Sequence, residues 1–164
     1  MDVLIVDDQR PFRMVARTVV GLVGGWRVAA EAGSGEDALD EAERVHPAVV
    51  LMDINLPGIN GIEATRRLLA RAPGTTVVLL STYTADDLPA DAANCGAVAY
   101  IRKEDLTPAA LRELHAGGAV PGDQRPGERP CVSHRVRPAV GDRAGSSPGG
   151  RLPAPLRGPG DRPD

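Results

Sequence analysis

The chain has 164 residues, 42% apolar side chains, a formal net charge of -3 and two cysteines, which is room for one domain of ordinary size and an appendage. No apolar run reaches the roughly eighteen residues of a membrane-spanning helix, and the sequence opens directly into a strand pattern without a basic and apolar leader, so a cytoplasmic protein with no membrane partner is expected. Cys95 and Cys131 lack metal-ligand or redox spacing and read as reduced thiols.

Apolar runs alternate with helical spacings from the start, the pattern of strand-helix units around a parallel sheet. Strands are expected over 2–6, 26–31, 48–53, 77–81 and 97–101. After the first strand, Phe12, Val15, Ala16, Val19 and Val20 keep helical spacing. A second helix starts at Gly33-Ser34-Gly35-Glu36-Asp37, where Ser34 offers a cap and two acids fill the first turn. Ile62, Leu68 and Leu69 mark a third. A fourth is expected after Thr84-Ala85-Asp86-Asp87, with Asn94-Cys95-Gly96 as its stop, and a short fifth begins at Thr107-Pro108 and ends at Gly117-Gly118. The expected fold class is α/β, a doubly wound five-stranded parallel sheet over residues 1–116.

Beyond that point the composition changes. Residues 117–164 contain 19 Gly or Pro and eight Arg among 48, and only six large aliphatic residues. Such a segment cannot build a packed core, and a disordered Pro/Gly/Arg-rich tail is expected. Its charge is +3 against -6 for residues 1–116. It contains no Lys, Asn, Ile, Phe, Tyr, Met or Thr, residues with codons relatively poor in G and C. A genuine tail and a shifted reading frame of a G+C-rich gene both account for that bias.

The chemistry gathers at the ends of the expected strands. Asp7-Asp8 ends the first, Asp53 the third and Ser81 the fourth, while Lys103, the only lysine beside eighteen arginines, follows the fifth. In an open parallel sheet ligands bind outside the carboxyl ends of strands. Three carboxylates brought together there repel by roughly 4 kcal/mol per close pair at an effective dielectric near 20, and a divalent cation relieves the repulsion. Magnesium suits oxygen-only ligands and pairs one or two carboxylates with a phosphate oxygen. The set therefore suits phosphoryl chemistry, with Asp53 as carboxylate nucleophile, Lys103 as a point charge on the phosphoryl oxygens and Ser81 as a hydrogen-bond donor to the transferred group.

Val3-Leu4-Ile5-Val6-Asp7-Asp8, Leu51-Met52-Asp53-Ile54-Asn55-Leu56-Pro57-Gly58-Ile59-Asn60-Gly61, Leu80-Ser81-Thr82-Tyr83 and Tyr100-Ile101-Arg102-Lys103 occur in that order. Together they resemble the receiver domain of bacterial two-component response regulators, over about residues 1–116. The wording around Gln9-Arg10-Pro11-Phe12 and Ser81-Thr82-Tyr83 is most similar to regulators carrying a helix-turn-helix output domain. The resemblance implies a flavodoxin-like receiver fold, a phosphoacceptor at Asp53 and a Mg2+ pocket of Asp7, Asp8, Asp53 and the Asn55 main-chain carbonyl. It also implies a switch pair of Ser81 and Tyr100 and a phosphate-contacting Lys103. A histidine kinase is the implied partner, and a homodimer could form through the face of the fourth helix, fifth strand and fifth helix. Two positions depart from the family pattern: Thr82 replaces a small residue, and Glu104 stands where proline commonly follows the lysine.

Two other function classes compete. An aspartyl-phosphate hydrolase would need D-x-D at the first strand, which Asp7-Asp8-Gln9 does not supply. DNA binding is not supported by this chain, because the basic tail has no amphipathic helix pair or recognition helix; a truncated or frame-shifted transcriptional regulator is the alternative reading. Trp26 reads as a packing residue, and His46, His115 and His134 have no partner at ligand spacing.

Overall fold

The computed structural model describes residues 1–83 and 87–116. Five parallel strands, β1 (Asp2–Val6), β2 (Arg27–Ala32), β3 (Val49–Asp53), β4 (Thr76–Ser81) and β5 (Ala99–Arg102), stand in the order β2-β1-β3-β4-β5. The order reverses beside β1, so β1 and β3 are neighbours, with Leu4 opposite Val50 and Val6 opposite Met52. Among the described residues four α-helices cover the sheet: α1 (Arg10–Gly21), α2 (Gly35–Val45), α3 (Gly61–Arg71) and α4 (Pro108–Ala116).

Near-continuous apolar strands follow from burial on both faces. Alternation within β1 sends Leu4 and Val6 into one layer with Ala38, Leu39, Ile62 and Leu68 of α2 and α3. Val3 and Ile5 enter the other layer, with Ala16 and Val20 of α1 and Leu111 of α4. The expected Ser34 cap forms, its Oγ accepting the Asp37 N–H at 3.1 Å, and Asn60 Oδ1 caps α3 likewise, accepting the N–H of Glu63 at 2.9 Å. Each satisfies a backbone donor that a helix start leaves without a partner.

The fourth expected helix is different. Its described part is a five-residue 3-10 helix, Ala90–Asn94. Pro89 caps it without an N–H of its own, Ala92 is its one buried residue, and Gly96 turns away at φ +94°. With so little apolar surface to dock, the segment has no reason to extend into an α-helix. The expected start at residues 84–86 and the tail at 117–164 lie outside the described residues. Among the described residues no helix is long and apolar enough to cross a membrane.

Candidate functional site

Three strand ends meet at one rim of the sheet. Asp7 follows β1, its N–H bound to the Ala32 carbonyl at 3.1 Å, and its side chain is fully buried. Asp53 is the last residue of β3 and 2% exposed. Asp8 stands beside them at the surface. One carboxylate oxygen from each of Asp7, Asp8 and Asp53 lies within 4.8 Å of the others.

Lys103 opens a short 3-10 helix, Lys103–Asp105, directly after β5. Its Nζ donates to Asp53 Oδ2 at 2.9 Å and lies 2.6 Å from Asp7 Oδ2. The Asp7 contact is an ion pair between the ammonium and a fully buried carboxylate. Phe12 closes the other side of the ammonium, with its ring centroid 4.7 Å from Nζ, a cation–π contact.

These surroundings set the protonation of the pair. Burial pushes the Asp53 carboxyl above its ordinary value, and the Lys103 hydrogen bond and charge, with the Asn55 N–H on Oδ1 at 3.3 Å, offset that only partly. Burial also works against the Lys103 ammonium, but the carboxylates of Asp7 and Asp53 outweigh it and raise its pKa. Three carboxylates beside one ammonium leave an excess of negative charge at a largely buried rim. The donor set is all oxygen and carries that excess of negative charge: the residues present fit a small, hard divalent cation such as Mg2+.

The loop after β3 is shaped by two glycines. At Gly61 a Cβ would lie 1.9 Å from the Asp53 carbonyl oxygen, so only glycine lets α3 start against the end of β3. Gly58 takes φ +74°, and a Cβ there would meet the Glu36 carboxylate at 2.5 Å. Glu36 Oε1 accepts the Ile59 N–H at 3.1 Å, tying α2 to this loop.

Ser81 and Tyr100 sit one and two strands away. Ser81 ends β4, fully buried, opposite Arg102 of β5. Its Oγ accepts the Tyr83 N–H at 3.1 Å, and the Tyr100 hydroxyl donates to the Tyr83 carbonyl. Burial pushes the Tyr100 phenol up, with a hydrogen bond to Ser81 as the main opposing influence. Ser81, Tyr83 and Tyr100 are thus one hydrogen-bonded group. Asn55 has an exposed side chain, and its main chain stands two residues after Asp53.

Sequence spacing placed Phe12 only on the buried side of a helix and gave Arg13 no role at all. In the structure Arg13 Nη1 donates to the Asp7 carbonyl at 2.6 Å while its Nε donates to Glu31 Oε2 at 3.2 Å. A basic residue one turn into the helix after an acidic pair is the one signal that could have marked it.

The sequence matches the family described as "Response regulator receiver domain" over residues 3–115. It is 34% identical over 122 residues to the transcriptional regulatory protein DegU of Brevibacillus brevis, covering 73% of this chain and 52% of that protein. Identity to the response regulator GacA of Pseudomonas aeruginosa is 37% over 119 residues, 70% of this chain and 55% of the relative. The chain therefore spans about half the length of these relatives. Among solved structures, the response regulator domain of Thermotoga maritima CheB superposes with a TM-score of 0.63 at 28% identity, covering 71% of this chain and 94% of that one. A LuxR-family two-component response regulator from Aurantimonas sp. SI85-9A1 gives 0.64 at 28% identity over 70% and 82%.

Proposed function

The chain belongs to the response regulator receiver domain family, a family of signalling domains, and we propose that it accepts a phosphoryl group from a histidine kinase on Asp53 and changes conformation in response. The observation that carries this reading is the Lys103 ammonium shared between Asp7 and Asp53 at 2.6 and 2.9 Å. A carboxylate oxygen of Asp53 attacks phosphorus, the bond from phosphorus to the donor's imidazole nitrogen breaks, and the leaving imidazole keeps the electron pair and takes a proton from water. Asp7, Asp8, Asp53 and the Asn55 carbonyl would hold Mg2+, which when bound neutralises charge on the phosphoryl oxygens.

Lys103, packed on Phe12, offers its ammonium to a phosphoryl oxygen as Asp53 loses its negative oxygen to the new bond. Ser81 would exchange the Tyr83 N–H for the phosphoryl group, and Tyr100, tied to the Tyr83 carbonyl, would follow that loop. The signal would leave through β5, α4 and the 3-10 segment before β5, the face on which a homodimer would form. Turnover of a substrate is not part of this reading, and its setting is cytoplasmic.

The division into a receiver at residues 1–116 and a low-complexity segment at 117–164 belongs to the same proposal, on composition. The second reading, a truncated or frame-shifted DNA-binding regulator, is favoured by two observations: that composition and the coverage of only about half of relatives such as DegU. A helix-turn-helix pattern in another frame of the gene after the codon for Gly117 would establish it.

The test of the phosphoacceptor uses the full chain with Mg2+ and acetyl phosphate, followed by mass spectrometry of peptides. One base-labile phosphoryl group on Asp53, absent from an Asp53→Asn variant, is expected. Full modification of that variant would remove the assignment.

A further inference from the structure

The turn that carries Asp7 and Asp8 is fastened at its backbone by a single side chain from the following helix. Helix α1 begins without a side-chain cap at Gln9 and without an acid in its first turn. Arg13, one turn in, instead reaches back: Nη1 donates to the Asp7 carbonyl, the peptide oxygen between the two acids, at 2.6 Å. Its Nε holds Glu31 of β2 at 3.2 Å. Its side chain is 18% exposed, whereas Arg17, which among the described residues pairs with Glu31 alone, at 2.5 Å, is 60% exposed. Gly33 lies beside the guanidinium, where a Cβ would meet Nη1 at an ordinary contact distance of 3.9 Å.

We propose that Arg13 is a positioning residue that fixes the Asp7-Asp8 turn for divalent-cation binding. This rests on the magnesium reading given above. The guanidinium suits the task because one planar fork serves a backbone carbonyl and a carboxylate on different elements; an ammonium cannot span both in the same way. With the Asp7 carbonyl held from α1, the Asp7 N–H held by β2 and the Gln9 N–H bound to Asp7 Oδ1 at 2.8 Å, the turn has little freedom left. Both carboxylates then face the rim before a cation arrives, and less ordering accompanies its binding.

The sign of the effect separates positioning from charge. Arg13 is a cation near a cation site, so by charge alone its removal would tighten Mg2+ binding. Removal of a positioning contact weakens it. The experiment compares the full chain with Arg13→Met, Arg13→Lys and Arg17→Met by Mg2+ titration calorimetry at fixed ionic strength, together with amide exchange at Gln9 in Mg2+-free buffer. Arg13→Met is expected to raise the Mg2+ Kd about tenfold and to speed Gln9 exchange, while Arg17→Met, with the same charge change, leaves both at or below the wild-type values. Arg13→Lys, which keeps charge and stem and so preserves folding, is expected to raise Kd severalfold. Wild-type or tighter Mg2+ binding in Arg13→Met or Arg13→Lys would overturn the proposal, as would equal weakening in Arg17→Met. A wild-type chain that binds no Mg2+ would overturn the magnesium reading itself, and this proposal with it.

Discussion

The bodies of the central strands and their carboxyl ends are a few residues apart and are built on opposite terms. In β3, Val50, Leu51 and Met52 are fully buried among apolar neighbours; the next residue, Asp53, is just as deep but carries a charge whose neutral form burial favours. At the end of β1, Val6 is likewise followed by a fully buried acid, Asp7. The strand bodies are optimised for stability and the rim is not, so substitutions of equal burial should move stability in opposite directions.

The largest effect is expected in the strand body. Leu51→Ala, at a position with no exposure, should cost about 2–5 kcal/mol by loss of buried surface and the cavity left behind, read from urea denaturation. A cost below about 1 kcal/mol would mean that the layer between β3 and the α1 and α4 side is loosely packed.

At the rim, Asp53→Asn should instead raise the thermal midpoint at neutral pH. Because the folded Asp53 pKa lies above its unfolded value, its stabilising contribution is complete below the unfolded pKa and is lost as pH rises through the folded one. The advantage of Asn should therefore vanish in acid and open as pH climbs through and above the carboxylate range. Added Mg2+ should narrow it, since the cation stabilises the ionised wild type. A midpoint that falls at neutral pH would show that the Lys103 pairing outweighs burial.

The smallest effect is expected where charges meet in water. Arg71→Ala removes an ion pair with Glu43 in which both side chains are more than half exposed, and should change stability by less than about 1 kcal/mol. A larger loss would erase the contrast between buried and exposed charge on which the Asp53 prediction depends.

What the sequence made legible divides along the same line. The five strands and the clustering of Asp7, Asp8, Asp53 and Lys103 could be read because each lies in a local pattern, an apolar run with its polar terminator, and parallel topology gathers the terminators on one rim. The α2 start could be read at Ser34 because capping is local too. Phe12 beneath Lys103, Arg13 on Glu31 and Glu36 against Gly58 join elements distant in the chain, and spacing holds no record of them. The 3-10 segment at Ala90–Asn94 failed for the reverse reason: start and stop signals were present, but the apolar stripe that would dock a longer helix was not.

The pairing of Lys103 with Asp53 also spans 50 positions of sequence, and a chain is made from its N-terminus. All three acids of the rim, together with the β1 and β3 strands that carry them, are therefore synthesised well before the ammonium that balances them. A nascent or cleaved product ending before β5 lacks an edge strand and, at the same stroke, the sole lysine of the protein. Pairing of β1 with β3 in such a fragment would draw Asp7 and Asp53 together without a counter-charge, so the last-made strand determines whether the first-made ones can close at full strength.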